Sequence, residues 1–320
     1  MLDLRLFWVP DMYKDSRIYI AGHKGMVGSA ITRKLQQAGY NNLITADRSA
    51  LDLMNTVAVR QFFQQERPDY VFLAAAKVGG ILANIQAPAE FLYNNLLIQN
   101  NVIHSAYEYG VKKLEFLGSS CIYPKYSPQP IKEEYLLTGA LEETNEWYAV
   151  AKISGIKMIQ AYKKQYGFQG ISLMPTNLYG PEDNFDLKTS HVLPALIRKF
   201  HEAKTSQAPS VQLWGTGTSK REFLHVDDFA DAALHLMLHY DSEEIINVGV
   251  GKDIEIRKLA LLIGDVVGYR GEINYDNTKP DGTPRKLLDV SRLTNTGWES
   301  NISLKRGIQN TYKWYLEHIK

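Results

Sequence analysis

A tyrosine and a lysine four positions apart, Tyr148 and Lys152, are the residues of this sequence that most directly suggest chemistry. On a helix that spacing places both side chains on one face, one turn apart. An ammonium beside a phenol stabilises the phenolate, so we expect the pKa of Tyr148 to fall from ~10 toward neutrality. Such pairs are also common on solvated helix faces, so a catalytic interpretation depends on two further stretches.

The first of these stretches is a glycine-rich turn between a short apolar segment, residues 17–21, and an amphipathic helix that extends to about Gly39. Strand, glycine turn and helix follow one another in this order in dinucleotide-binding folds. The glycines let the backbone approach a pyrophosphate, and the helix N-terminus offers free N–H donors. A flexible turn before a helix is the alternative. We predict that the whole turn binds a dinucleotide: Gly22, His23, Lys24, Gly25, Met26, Val27 and Gly28.

The choice of cofactor depends on Asp47 and Arg48, which end a second predicted strand over 42–46. An acidic residue there hydrogen-bonds the ribose 2′-hydroxyl of NAD, whereas an arginine accepts the 2′-phosphate of NADP. The two residues conflict. Because Lys24 adds a second cation at that end of the cofactor, we predict NADP(H).

Strands and helices then alternate through the first half of the chain. We predict helices at 55–66, 88–109 and 148–167, and strands at 69–74, 113–117 and 170–174. A strict βαβ repeat gives a parallel sheet with helices on both faces. Asp52, followed by Leu53, either contacts the adenine amino group or caps the helix that begins near Asn55.

The second stretch is the segment from Gly118 to Pro124, directly after the strand at 113–117. Ligands of open parallel sheets bind at the carboxyl ends of the strands. The hydroxyl of Ser119 and the thiol of Cys121 are therefore placed to reach a ligand, and the thiol becomes a thiolate if a cation is near. A lone cysteine is more often an inert buried residue, but its position beside Ser119 favours a catalytic role.

The second half of the chain is less regular. We predict helices at 193–203, 256–267 and 303–319, strands at 211–214, 222–225 and 272–275, and a helix–strand unit over 227–248 that Asp227 or Asp228 caps. The predicted fold is α/β, a Rossmann-type doubly wound parallel sheet with a smaller mixed α/β lobe. Its dinucleotide-binding domain comprises 17–175 plus about 226–248, and its substrate lobe about 176–225 plus 249–320. We interpret residues 1–16 as an appendage ahead of the first strand.

Composition narrows the possible partners. The 320 residues carry 36 basic and 35 acidic side chains, a formal net charge of +1, which favours neither a nucleic acid nor an anionic membrane as partner. No apolar run approaches the ~20 residues of a spanning helix. The single cysteine indicates a reducing, cytoplasmic compartment, and no spaced cluster of His, Cys or Asp predicts a metal.

The glycine turn, Ser119 and the Tyr148–Lys152 pair resemble the extended short-chain dehydrogenase/reductase superfamily, whose members act on nucleotide sugars. Longer blocks resemble its epimerase–reductases of GDP-4-keto-6-deoxy sugars: Leu73–Gly80, Leu117–Lys125, Met174–Pro181, Arg221–Asp228 and Lys279–Leu288. The resemblance begins at about residue 17. Asp47 departs from that family's pattern.

This resemblance implies that the chain epimerises C3 and C5 of GDP-4-keto-6-deoxy-D-mannose and then reduces the C4 ketone with NADPH. Both hydrogens to be removed are α to the ketone, so donors aimed at its oxygen promote both steps. Tyr148 and Ser119 fit that role, and Lys152 holds the nicotinamide ribose. Inversion also needs a base and an acid, and Cys121 is one candidate because of its position beside Ser119. His191 could be a loop histidine with a local hydrogen bond, but the family pattern has a histidine in this motif as the partner acid.

The remaining ligand contacts also come from the resemblance. Further cofactor contacts are Arg48, Asp52, Leu53, Leu117, Gly118, Ser120, Lys152, Pro175, Thr176, Asn177, Leu178 and His191. Candidate substrate contacts are Lys199 and Arg221 for the diphosphate, Trp214 for the base or sugar and Asp281 for hydroxyls. The alternative is that Trp214 only packs and that Lys199 lies on a solvated helix face. The family usually has arginine in place of Lys199, so the bidentate fork is lost. Relatives often form homodimers through helices 88–109 and 148–167.

Two other functions fit parts of the pattern. A nucleotide-sugar 4-epimerase or 4,6-dehydratase has the same fold, but a dehydratase needs an acidic residue beside Ser119, where this chain has Ser120 and Cys121. A 4-epimerase does not need Cys121 or His191. An NADP-sensing module commonly lacks the tyrosine or the lysine, and this chain has both.

Overall fold

A six-stranded parallel sheet forms the centre of the protein, in a computed structural model that describes residues 12–278 and 283–319. Its strands are β1 (Ile18–Ala21), β2 (Leu43–Ile44), β3 (Tyr70–Leu73), β4 (Lys113–Leu117), β5 (Gly170–Pro175) and β9 (Ile246–Val248). The order across the sheet is β2-β1-β3-β4-β5-β9. β1, β3 and β4 are buried along their whole length, as expected for parallel strands covered on both faces. The predicted Rossmann-type fold is confirmed.

The chain reverses its direction of winding between β1 and β3. It runs from β1 outward to the edge strand β2 and then returns to the other side of β1. A crevice opens at such a reversal, outside the carboxyl ends of the two strands, and ligands bind there. The glycine turn follows β1 at this edge, and Ala74–Ala76 follow β3.

Helices cover both faces of the sheet. They are α1 (Met26–Gln37), α2 (Thr56–Glu66), α3 (Ile81–Gln86), α4 (Pro88–Glu108), α5 (Glu146–Tyr166) and α7 (Val226–His239). One hydrophobic core lies under α1 and α7. A second core lies under α2, α4 and α5, and the two 21-residue helices α4 and α5 pack against each other.

The remaining elements form two smaller sheets and a third core. β6 (Asn177–Tyr179), β8 (Lys220–His225), β10 (Asp253–Glu255) and β12 (Arg285–Lys286) make one sheet, and β7 (Ser210–Trp214) pairs with β11 (Glu272–Asp276) in the other. The helices here are α6 (Val192–Thr205), α8 (Ile256–Val267), α9 (Ser291–Thr294) and α10 (Leu304–His318). α6, α8 and α10 enclose the third core. The division into two lobes stays a prediction.

Two predicted helix caps are wrong. The Asn55 side chain, rather than Asp52, caps α2 by accepting the Ala58 N–H at 3.1 Å. His225 precedes α7 and accepts the Asp227 N–H at 3.2 Å. Asp228 instead accepts N–H groups from the segment before α10, so it joins two elements.

Of the predicted appendage, residues 1–11 lie outside the described residues. Met12 is buried in the core under α1, and its carbonyl accepts the Tyr40 hydroxyl at 3.4 Å. No helix in the described ranges is both long and apolar enough to cross a membrane.

Candidate active site

The glycine turn is packed too tightly for side chains at two of its positions. Gly22 has φ +88°, and a Cβ there would lie 2.8 Å from the Ala75 nitrogen. A Cβ on Gly28 would lie 2.1 Å from the Gly22 carbonyl oxygen. Gly25 begins α1 without a side-chain cap, and the first turn of α1 carries no acidic residue. The turn therefore presents backbone N–H groups to an anion, as the pyrophosphate of a dinucleotide requires.

An ion-pair cluster joins the segment after β2 to this glycine turn. The Asp47 carboxylate accepts the Lys24 ammonium at 2.6 Å and lies 3.2 Å from Nε2 of His23. The bond from Lys24 holds the pKa of Asp47 below its usual value. Arg48 is exposed beside the cluster. Lys24, predicted to be a cation available to a phosphate, is therefore bonded to Asp47.

Asp52 and Leu53 lie in the segment between β2 and α2. The Asp52 carboxylate accepts the Met54 N–H at 3.0 Å, and the Leu53 carbonyl accepts the Asn101 side chain at 2.8 Å. The polar groups of both residues thus shape the turn into α2. Their contact with the adenine stays a prediction.

The loop after β4 is held close to β5 and α5. Gly118 is pressed against Met174, since a Cβ on this glycine would lie 2.4 Å from the methionine methyl carbon. The Leu117 carbonyl accepts the Lys152 ammonium at 2.7 Å, and Ser120 is buried. The loop is thereby fixed with Ser119 at the carboxyl edge of the sheet.

The loop after β5 joins the central sheet to β8. Pro175 ends β5, and the side chains of Thr176 and Asn177 both donate to the Glu222 carbonyl, at 3.2 and 2.8 Å. Leu178 packs against the core under α1 and α7. These side-chain hydrogen bonds hold the loop after β5 against β8. The predicted cofactor contacts of this loop stay predictions.

The two predicted oxygen donors, the hydroxyls of Ser119 and Tyr148, lie close together. The Ser119 hydroxyl is close enough to the Tyr148 hydroxyl to lower the pKa of Tyr148, and it accepts the Cys121 N–H at 3.1 Å. The Tyr148 ring lies edge-on to Phe91, with centroids 6.3 Å apart. The pair therefore places two hydroxyls at the carboxyl edge of the sheet.

The predicted fall in the pKa of Tyr148 is wrong. Burial raises that pKa, negative charge on Cys121 raises it further, and the neighbouring Ser119 hydroxyl offsets only part of the rise. Burial also lowers the pKa of Lys152 to about 7, and its nitrogen lies 5.8 Å from the Tyr148 ring centroid. Tyr148 and Lys152 lie one turn apart on α5 as predicted, but their surroundings favour a neutral phenol that donates a proton.

A cation lies beside the thiol. The Lys286 ammonium is 3.6 Å from the Cys121 sulfur, and the Asn145 side-chain amide is 3.4 Å from it on another side. An ammonium and an amide donor both stabilise negative charge on sulfur. Sequence reasoning selected neither residue. Both lay within stretches that it singled out, but only the pairing of β12 with β8 brings Lys286 to the thiol.

His191 stands at the start of α6. It is the N-cap residue, and Asp186 shapes the preceding loop by accepting two N–H groups and the Thr189 hydroxyl. Desolvation and the positive charge of Lys286 lower the pKa of His191. The charge of Lys286 therefore acts on both the thiol and the imidazole.

The substrate candidates lie in the smaller sheets and on α6. The Lys199 ammonium lies 5.8 Å from the ring centroid of Trp214, whose side chain is exposed, and burial lowers the pKa of Lys199. Arg221 is the register partner of Lys286 in the β8–β12 pair. Asp281 lies outside the described residues. In the described ranges no group of three or more His, Cys, Asp or Glu residues could hold a metal.

Comparison with known proteins agrees with this geometry. Residues 18–249 match the model of the NAD dependent epimerase/dehydratase family. GDP-L-fucose synthase 1 of Arabidopsis thaliana is 58% identical over 306 residues, which cover 96% of this chain and 95% of that protein. GDP-L-fucose synthase of Escherichia coli K12 is 55% identical, over 94% of this chain and 97% of that protein.

One solved structure of a similar protein contains a bound cofactor. The crystal structure of a GDP-L-fucose synthetase from Naegleria fowleri bound to NADP matches with a TM-score of 0.90 at 30% identity. The match covers 96% of this chain and 94% of that one. The fold that carries the glycine turn here is therefore one that holds NADP in a similar protein.

Proposed function

This chain belongs to the NAD dependent epimerase/dehydratase family and, within it, to the GDP-L-fucose synthase family, and we propose that it catalyses the family's reaction. It converts GDP-4-keto-6-deoxy-D-mannose to GDP-L-fucose by epimerising C3 and C5 and then reducing the C4 ketone with NADPH. The observation that supports this best is the Cys121 thiol, which lies 3.6 Å from the Lys286 ammonium and follows Ser119 in the loop beside Tyr148. One pocket thus holds ketone donors together with a proton-transfer group.

The epimerisations begin at the ketone. Removal of a hydrogen from C3 or C5 puts negative charge on O4, and a donor aimed at that oxygen lowers the barrier by several kcal/mol, on the order of 3 in a dry site. The hydroxyls of Ser119 and Tyr148 are adjacent and supply two donors. A neutral phenol suits this step, because a phenolate would have no proton to donate.

The thiol and the imidazole act on the carbon atoms. With Lys286 and Asn145 to stabilise its negative charge, Cys121 takes the proton from one face of the sugar, and His191 returns a proton from the other. The lowered pKa of His191 makes its imidazolium a stronger acid, which then releases its proton more readily. The first inversion leaves a protonated thiol and a neutral imidazole, so the thiol releases its proton to solvent and the imidazole takes one up before the second inversion. The two inversions differ in which carbon lies between these groups.

Reduction uses the same oxygen donors. NADP(H), when bound at the glycine turn, supplies the hydride that the C4 ketone accepts. Tyr148 donates its proton to O4 as the alcohol forms. Lys152, anchored on the Leu117 carbonyl, contributes positive charge near the phenol as that proton leaves.

Three broader features belong to the same proposal. The chain is a multifunctional enzyme that forms a homodimer through α4 and α5, whose outward faces expose Tyr93, Trp147 and Val150. Its compartment is the reducing cytoplasm, which suits a free thiol at Cys121. The GDP moiety binds in the smaller lobe, near Arg221, Lys199 and Trp214.

Hydride consumption tests the function directly. The protein is mixed with GDP-4-keto-6-deoxy-D-mannose and NADPH, and absorbance of the reduced cofactor is followed. We expect oxidation by the wild type and a loss of about 10²–10⁴-fold in Tyr148→Phe. Tyr166→Phe, at the far end of the same helix, is the matched control. A folded, NADPH-bound wild type that oxidises no cofactor contradicts the proposal.

Solvent deuterium separates the epimerisation from the reduction. In D₂O the wild type should introduce deuterium at C3 and C5, and Cys121→Ser should not. Deuterium uptake at the wild-type rate in that variant would remove Cys121 from the mechanism.

A further inference from the structure

Oppositely charged side chains lie at the position where this fold contacts the ribose of the adenosine half of the cofactor. Lys24 Nζ lies 2.6 Å from one carboxylate oxygen of Asp47, and His23 Nε2 lies 3.2 Å from the other. The bond with Lys24 is the main reason that the pKa of Asp47 is low, so the carboxylate is ionised at neutral pH. Arg48, the next residue, is exposed.

The position of this ion-pair cluster affects the choice between NAD and NADP. In this class of fold an acid at the end of the second strand accepts the ribose 2′-hydroxyl of NAD, and a nearby arginine receives the 2′-phosphate of NADP. This chain has both residues, and here the acid occupies cations that a 2′-phosphate would otherwise contact. The Asp47 carboxylate stands in the position of an anion between Lys24 and His23.

We propose that Asp47 is a specificity-determining residue that competes with the 2′-phosphate for Lys24 and His23, which narrows the preference of this protein for NADP(H) over NAD(H). Arg48 then remains as the 2′-phosphate partner that Asp47 does not engage. Without the phosphate, the same carboxylate accepts the ribose 2′-hydroxyl. The inference rests on the proposed function only in its choice of cofactor.

Simple electrostatics fixes the direction and size of the effect. A carboxylate close to a phosphate dianion repels it even in a water-like dielectric, and we expect an effect of about tenfold on affinity. Asp47 also lowers the attraction of Lys24 for the phosphate, because the ammonium must leave its present partner. Both effects weaken NADP binding, and salt screens both.

Binding measured by calorimetry without the sugar tests this inference. The dissociation constants of NADP⁺ and NAD⁺ are determined for the wild type and Asp47→Asn at low salt and at ~0.5 M salt. We expect Asp47→Asn to bind NADP⁺ about tenfold more tightly and NAD⁺ a few-fold more weakly, with the gain for NADP⁺ reduced at high salt. Glu66→Gln, which removes a surface carboxylate paired with Arg17, is the control for net charge and should leave both constants unchanged.

A double mutant identifies the mechanism. In a Lys24→Gln background the gain from Asp47→Asn should shrink, because part of it comes from freeing that ammonium. Weaker NADP⁺ binding in Asp47→Asn would overturn the inference by showing that the carboxylate holds Lys24 in place for the phosphate. An unchanged NADP⁺/NAD⁺ ratio would overturn this inference alone, whereas a wild type that binds neither nucleotide would overturn the proposed function as well.

Discussion

Replacing Lys286 with methionine should slow the epimerisations, because the side chain keeps its length and loses the charge beside the thiol. At the observed 3.6 Å between Nζ and the Cys121 sulfur, an ammonium and a thiolate attract each other by roughly 4–5 kcal/mol at an effective dielectric constant of 20. Lys286 is partly exposed, and water screens this attraction. We expect about 1.5–3 kcal/mol to be lost, or about ten- to a hundredfold in rate.

The assay is deuterium incorporation at C3 and C5, with hydride transfer and NADPH binding measured in parallel. The variant should retain NADPH binding, because Lys286 lies in the small sheet of β8 and β12. Arg285→Gln is the matched control, since this neighbouring cation pairs with Asp253.

The pH profile gives an independent readout. The positive charge of Lys286 contributes to the lowered pKa of His191, so that pKa should rise in Lys286→Met. The limb of the epimerisation profile that belongs to His191 should therefore move to higher pH. Deuterium uptake at the wild-type rate, with this limb unmoved, would refute the role of Lys286.

Two further predictions concern the fold and the cofactor turn. Lys113 donates to the carbonyls of residues 236, 237 and 240 at the end of α7, so Lys113→Met should cost about 2–4 kcal/mol in urea unfolding, against about 1 or less for the exposed Lys112→Met. Burial lowers the folded pKa of Lys113 to about 8, so the unfolded chain binds more protons than the folded chain between pH 8 and ~10.5. The stability of the wild type relative to the variant should therefore rise across that window. A difference in stability that stays constant with pH would contradict this. Gly28→Ala should lower the melting temperature, because its Cβ meets backbone at 2.1 Å, whereas Gly25→Ala, whose nearest neighbour is at 3.5 Å, should keep the fold and lose only NADP⁺ affinity; equal melting temperatures would count against the steric argument.

Periodicity was sufficient to predict the main sheet. Buried parallel strands are short apolar runs between amphipathic helices, and the predicted positions of β1, β3, β4 and β5 agree with the structure to within about two residues. The unit over 227–248 returns to the sheet as predicted, because β9 pairs with β5. The helix α3 was missed because it is short and begins directly after Gly79-Gly80, a signal typical of a loop.

Tertiary pairing explains what the sequence did not reveal in the site. Strands as short as β12, two residues long, have no periodicity, so the approach of Lys286 to Cys121 could not be read from spacing. The pKa of Tyr148 was predicted in the wrong direction because a pair spacing carries no information on burial. In the folded protein desolvation raises the pKa of Tyr148 and lowers that of Lys152.

The pairing of β8 with β12 also connects the two parts of the proposed substrate site. Arg221 and Lys286 are register partners in parallel strands, so both side chains leave the sheet on the same face. The carboxylate of Glu222, the next residue, accepts N–H groups of Val250, Gly251 and Leu288 at 2.6–3.0 Å and fixes β8 against the segment that follows β12. In the proposed substrate site, the diphosphate partner Arg221 is thus one strand away from the Lys286 ammonium beside Cys121. Because the same backbone pairing sets both positions, we expect recognition of the nucleotide diphosphate and inversion of the sugar carbons to depend on one rigid element.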